Sequence, residues 1–325
     1  MAEWRQAVSN NLNESMRVGF GRGVVKAGEL DQRVVVLSAD LGESTQMASF
    51  QEKFGDRYIE VGVAEQNLVT VASGLALAGK KPFVASYAVF SPGRNWEQIR
   101  TTISLNDRPV TIIGSHAGLN VGPDGATHQM LEDIALMRAL PNMTVIAPGD
   151  SLEAEQVAIA LGKHDSPAYV RLAREKTPVF LDDQPFEIGR AKVIRQGHDV
   201  SLFGTGTMTY QLVEAAKILE EKGVSAQVVH FPTIKPIDRA ALIENARRCG
   251  RVVVAEEAQI AGGFGGAVAE ILSEELPMPI KRIGVKDRYG QSGDASELMV
   301  HYELTANQIA GTVEEFIQVM PQYHR

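Results

Sequence analysis

Short β-branched runs alternate with amphipathic stretches along most of this chain, and that alternation predicts a parallel sheet covered by helices. The first strand is expected at Val34–Ser38 and the next around Tyr58–Val63, followed by a helix from about Gln66 to Ala78 that Gly79 should stop. Strands at Pro82–Phe90 and Val110–Ser115 flank a helix near Asn95–Leu105. A glycine-dense loop then runs from Gly118 to Gly125, ahead of a helix over roughly Gln129–Leu140. Strand Thr144–Ala147, helix Leu152–Leu161 and strand Ala168–Leu172 complete a first unit. Between about Ala173 and Ile188 the pattern lapses into Pro, Asp and Gln, which reads as a linker. A second, smaller unit follows, with strands at Val200–Phe203, Ala226–His230, Val252–Glu256 and Ile280–Ile283. Its helices are expected at Tyr210–Glu221, Arg239–Arg248, Gly266–Glu274 and Ala306–Gln318. The expected fold class is α/β, with a domain at 1–175, a linker at 176–188 and a second domain at 189–325, each a mainly parallel sheet flanked by helices.

A length of 325 residues agrees with two cores rather than one. The 44% hydrophobic and 22% charged residues are ordinary for a globular protein. A net charge of −8 gives no electrostatic footprint for nucleic acid, although a local Arg/His pocket would still suit a small anion. Cys249 is alone, which excludes an intramolecular disulfide and a cysteine-based zinc site. The start from Met1 to Met16 is polar and the apolar runs are interrupted, so neither a signal peptide nor a membrane span is expected, and the default location is cytoplasmic.

Several places carry candidate chemistry. Gly204–Thr205–Gly206 and Gly262–Gly266 resemble phosphate-cradling turns but match neither the dinucleotide fingerprint nor the GxxxxGK[ST] loop, and tight strand-to-helix turns are the favoured reading. Glu65 sits where a strand gives way to a helix. A first-turn carboxylate is common there, and a carboxyl poised at a strand's C-terminal end, where α/β sheets bind ligands, is the equal alternative. The Gly114–Gln129 stretch is more informative, because His116, Asp124 and His128 lie on a glycine-dense loop outside any apolar period. They suit hydroxyl binding, proton transfer and a developing oxyanion, and the spacing of the two histidines disfavours a metal site. Arg171 and Arg174 end the last strand of the first unit, as surface ion pairs or as a phosphate clamp.

Taken together, in this order and spacing, Ser38–Leu41, Gly62–Asn67, Pro82–Phe90, His116–Pro141 and Tyr169–Arg174 resemble the pyrimidine-binding and C-terminal domains of transketolase, over most of the chain from about Arg17. The resemblance implies thiamine diphosphate as cofactor. Glu65 matches the glutamate that hydrogen-bonds the aminopyrimidine ring nitrogen and so helps remove the thiazolium C2 proton, a role for which a raised pKa or a shared proton is expected. Tyr87 and Phe90 match the aromatic positions that pack on the pyrimidine, although as bare sequence they would be core residues of a strand. Asp40 matches an aspartate near the cofactor at an expected subunit interface. His116 and Asp124 match residues that bind substrate hydroxyls, and His128 one near the cleaved bond. Arg17, Ser44 and Arg174 match positions that bind the substrate's terminal phosphate.

In that family a separate N-terminal domain holds the diphosphate and Mg2+ (or Ca2+) through a Gly-Asp-Gly motif, and no such motif occurs here in a suitable context. The chain begins with Met1 and reaches the pyrimidine domain almost at once, so the resemblance implies one subunit of a split transketolase, with a fragment of a longer enzyme as the simpler rival. The implied reaction moves a two-carbon unit between sugar phosphates, as in the pentose phosphate pathway of carbohydrate metabolism. Partners would be a separate N-terminal subunit and at least one further copy of this chain, with no nucleic acid and no membrane. Three alternatives remain: a 1-deoxyxylulose-5-phosphate synthase, which carries an acidic residue at the His116 position; a 2-oxoacid dehydrogenase beta subunit, which should lack the Asp124–His128 string; and a non-catalytic regulatory module of the same fold.

Overall fold

The computed structural model describes residues 12–323; the first eleven residues of the expected first domain and the last two of the second lie outside them. Two extended sheets organise the chain. The first has the order β12-β6-β7-β5-β4-β2-β3, formed by β2 (Val34–Ser38), β3 (Tyr58–Glu60), β4 (Lys81–Tyr87), β5 (Thr111–Ser115), β6 (Thr144–Ile146), β7 (Ala168–Arg171) and β12 (Thr233–Lys235). The second has the order β14-β13-β10-β11-β9, formed by β9 (Lys192–Arg195), β10 (Val200–Gly204), β11 (Ala226–His230), β13 (Val252–Gln259) and β14 (Ile280–Val285). Pairing is parallel except for β12 against β6 and β9 against β11. This is the expected α/β fold.

The central strands are legible because helices cover both faces of the sheet. Every residue of β2 is buried, as is every residue of β5, so they read as continuous apolar runs. Helix Met16–Leu30 and helix Ser151–Leu161 cover one face side by side. They approach so closely that a Cβ built on Gly19 would stand 1.8 Å from the carbonyl oxygen of Ser151. Helix Glu65–Leu77 covers the other face and ends two residues before Gly79, as expected.

Four expectations need correction. Strand β4 stops at Tyr87, so Phe90 belongs to the following turn rather than to a strand. The helix expected over Gln129–Leu140 is confined to Asp133–Arg138, because Met130 bridges to Ala117 and its carbonyl accepts the Gly118 N–H. The Ala173–Ile188 stretch is not featureless: β8 (Lys176–Pro178) pairs antiparallel with β1 (Asn13–Ser15), and Asp150 Oδ2 accepts the N–H groups of Phe180 and Leu181. Finally, β9, β12 and the helices Ala48–Lys53 and Ala295–His301 had no expected counterpart, and β12 leaves the second unit to extend the first sheet.

Buried polar groups also join the two units. Arg171 is neither a surface ion pair nor a phosphate clamp. Its side chain is 7% exposed, pairs with Asp133 at 3.0 Å, and donates to the Glu257 carbonyl at 2.7 Å. Tyr169 donates to the same carboxylate at 2.8 Å. Nearby, His230 Nε2 and Glu153 Oε2 meet at 2.7 Å, with Lys192 beside Glu153 at 3.1 Å. The Gly262–Gly266 turn offers no free phosphate cradle, because Glu256 already accepts the N–H groups of Phe264 and Gly265. The favoured reading of a strand-to-helix turn therefore holds there.

Candidate active site

The chain leaves β2 toward β3 at one edge and then returns to β4 on the other side of β2. Reversal of direction opens a crevice at the carboxyl ends of these strands, where open α/β sheets bind ligands. The candidate residues gather there. Glu65 opens its helix directly after the Val61–Ala64 loop, with its carboxylate at the positive end of the helix dipole. It is 2% exposed, and Arg94 Nη1 donates to Glu65 Oε2 at 2.7 Å. Asn95 Nδ2 donates to the Glu65 carbonyl oxygen at 2.8 Å, so the turn after β4 grips both ends of this residue.

That turn also sets the aromatic rings. Tyr87 is the last residue of β4, and its carbonyl accepts the N–H groups of Phe90 and Ser91. The tight turn brings the two rings into a stack with centroids 5.9 Å apart and planes 17° apart. His116, at the end of β5, lies on Tyr87 with centroids 3.8 Å apart. His128 meets Phe90 edge-on at 5.6 Å and Tyr87 at 6.4 Å. Residues distant in sequence thus form one ring cluster, with the Glu65 acid on one side through Arg94.

On the other side stands Arg17. Its guanidinium donates to the backbone carbonyls of Ser44 and Arg174 and lies 3.5 Å from His116 Nε2. One side chain therefore draws together the helix after β1, the loop after β2 and the end of β7. The Arg174 side chain donates to the Val121 carbonyl at 2.6 Å and borders a cleft of about 500 Å³ shared with Thr207, Tyr210 and Asp294 of the second unit. Burial, the two arginines and His128 push the His116 pKa down to about 3, so the free chain carries it as a neutral ring. Ser115 Oγ lies 2.9 Å from its Nδ1.

Two candidates stay outside the cluster. Asp124 is exposed at the end of the Leu119–Asp124 turn, and Asp40 is exposed after β2 with φ 60°. Neither shares a hydrogen bond or ring contact with the histidines. Glu60, which was not singled out from sequence, braces this rim: its Oε1 accepts the N–H groups of Asp40 and Gly62 at 2.8 and 2.7 Å. Arg94 and Asn95 were missed as well. The only signal for them was their position at the close of the Ser91-Pro92-Gly93 turn, directly below a strand end. Among the described residues, no group of three or more His, Cys, Asp or Glu side chains is placed to hold a metal ion. No helix among them is long and apolar enough to cross a membrane.

Known proteins resemble this chain over most of its length. The transketolase pyrimidine-binding domain model matches residues 12–179, and the transketolase C-terminal domain model matches residues 189–309. A protein of Methanocaldococcus jannaschii named as a transketolase C-terminal section is 42% identical over 94% of this chain and 97% of its own length. A solved structure of a split-gene transketolase, an inactive beta4 tetramer, is 41% identical with a TM-score of 0.88, covering 94% of this chain and 99% of that one. The 1-deoxy-D-xylulose-5-phosphate synthase of Symbiobacterium thermophilum is 38% identical over 92% of this chain, which spans only 46% of that enzyme. With both domain models matched in sequence order, and with relatives of its own length 42% and 41% identical, the chain belongs to the transketolase family of thiamine-diphosphate-dependent enzymes.

Proposed function

We propose that this chain is the pyrimidine-side subunit of a transketolase that moves a two-carbon ketol unit from a ketose phosphate to an aldose phosphate. A separate N-terminal subunit would hold the diphosphate and Mg2+ (or Ca2+), and this chain would self-associate at least to a dimer. The observation that carries the reading is the line of side chains across the crevice. A buried carboxyl, two stacked rings, two histidines and an arginine-bound pair of loops follow one another without a gap. The similarity to chains from split transketolases supports the separate partner. The division at 176–188 is retained as the domain boundary of this reading.

The residues present fit the aminopyrimidine half of thiamine diphosphate: an acid fixed at a helix start beside flat apolar rings. When bound, that cofactor supplies the carbanion chemistry that breaks and forms the carbon–carbon bond. Glu65 would hold the pyrimidine ring nitrogen, and Tyr87 and Phe90 would bear the ring's face. Asp40, on the rim that Glu60 braces, would meet the cofactor at a subunit boundary. His116, neutral, exchanges hydrogen bonds with substrate hydroxyls together with Asp124. His128 is only half-buried and moves protons at the cleaved bond. Arg17, Ser44 and Arg174 take the terminal phosphate, for which guanidinium forks are suited.

The test is a two-carbon transfer assay with xylulose 5-phosphate and ribose 5-phosphate, thiamine diphosphate and Mg2+. This chain is run alone and mixed with the N-terminal transketolase polypeptide. Activity only in the mixture is the expected result, and activity of the chain alone would refute the split site. Turnover with pyruvate as donor, in place of xylulose 5-phosphate, would transfer the chain to the synthase branch.

A further inference from the structure

Arg94 lies where a ligand of Glu65 would lie. Its guanidinium donates to Glu65 Oε2 at 2.7 Å and covers the Phe90 ring at 4.7 Å. The two partners are held very differently. Glu65 is buried and fixed by its helix, whereas the Arg94 side chain is 50% exposed. The Arg94 backbone is also fixed. Its N–H donates to the Phe90 carbonyl at 2.9 Å, Asn95 is clamped to the Glu65 carbonyl, and Gly93 permits the tight bend, since a Cβ there would meet the Val89 oxygen at 2.0 Å. Only the arginine side chain is free to swing, and its long stem can carry the charge into water.

We propose that Arg94 is an internal stand-in for the cofactor. It keeps the buried Glu65 carboxylate paired until the cofactor binds, because an unpaired charge there is costly. It must leave both Glu65 and Phe90 before an aminopyrimidine can take the same oxygen and the same ring face. This proposal rests on the reading of Glu65 and Phe90 as pyrimidine-binding residues. Arg94 is then a positioning residue that sets how tightly and how fast the cofactor is held, and it takes no part in the bond-making steps.

The experiment titrates thiamine diphosphate, with Mg2+, into the reconstituted two-subunit complex by calorimetry, for wild type, R94Q, E65Q and the double variant. Thermal unfolding of the free chain is followed for the same set. R94Q should bind thiamine diphosphate about two- to fivefold more tightly, the scale of a half-exposed pair given up on binding. It should also lower the melting temperature of the free chain, and E65Q should cancel both effects. Unchanged or weaker binding by R94Q, with wild type binding normally, would overturn the proposal alone. Wild-type complex that binds no thiamine diphosphate would overturn the reading of the site, and the proposal with it.

Discussion

Lowering the pH from 7 to 5 probes the electrostatics around His116. The ring is 3% exposed, packed on Tyr87, with the Arg17 guanidinium 3.5 Å from Nε2. Burial first, then Arg17 and Arg174, hold its pKa at about 3 in the folded chain, against about 6.5 for an unperturbed histidine. Between those two values the unfolded chain binds a proton that the folded chain refuses. Stability therefore falls as the pH drops through the unfolded value, and the loss is complete only near the folded one. At pH 5 the unfolded histidine lies about 1.5 units below its pKa, which corresponds to about 2 kcal/mol of lost stability relative to pH 7. That figure requires only that the folded pKa lie well below 5. Other groups titrate in this window, so the measurement is a difference between wild type and His116→Asn. Asparagine suits the position because His116 has φ 55°, a left-handed conformation that asparagine tolerates well. Urea unfolding of both proteins at each pH should show the stability difference moving by about 2 kcal/mol in favour of the variant on acidification. A difference that stays constant within about 0.5 kcal/mol would refute the reasoning, because it would mean that folding does not oppose protonation of the ring.

Three further outcomes are expected. Glu65→Gln should slow hydrogen–deuterium exchange at thiazolium C2 by about 10²–10⁴-fold in the reconstituted complex while circular dichroism is unchanged; an unaltered exchange rate removes Glu65 from the chemistry. Asp133→Ala strands Arg171, whose side chain is 7% exposed, and should cost about 3–5 kcal/mol in urea unfolding. A loss below about 1 kcal/mol would show that the arginine finds another partner. Gly19→Ala places a methyl against the Ser151 carbonyl across the helix pair and should destabilise by about 1–3 kcal/mol; an unshifted melting temperature would contradict that close approach.

What was readable in the sequence is what packing repeats. Strands buried on both faces, such as β2 and β5, announce themselves as apolar runs, and Gly79 announces a helix end. Elements fixed by single partners do not. Nothing local marks Lys176–Pro178 as a strand, because its hydrogen-bonding partner is Asn13–Ser15, far away in the chain. The helix over Gln129–Leu140 looked longer than it is because periodicity cannot show that the backbone of Met130 is engaged by Ala117 and Gly118. β12 is three residues long, and its pairing with β6 depends on how the two units meet.

The same distinction governs the site. Arg171 and Arg174 stand three residues apart and look alike in sequence, yet one is sealed against Asp133 between the two units while the other borders an open cleft. Glu65, His116 and His128 stand out by their place in the sequence, and the family resemblance adds Tyr87 and Phe90. It gave no reason to notice Arg94, because the importance of Arg94 is a matter of turn geometry. Gly93 and the Phe90 carbonyl aim that side chain back at the buried Glu65 carboxylate. A buried carboxylate is costly without a partner, so the arginine that pairs with Glu65 is also the residue that should govern how a ligand reaches that oxygen.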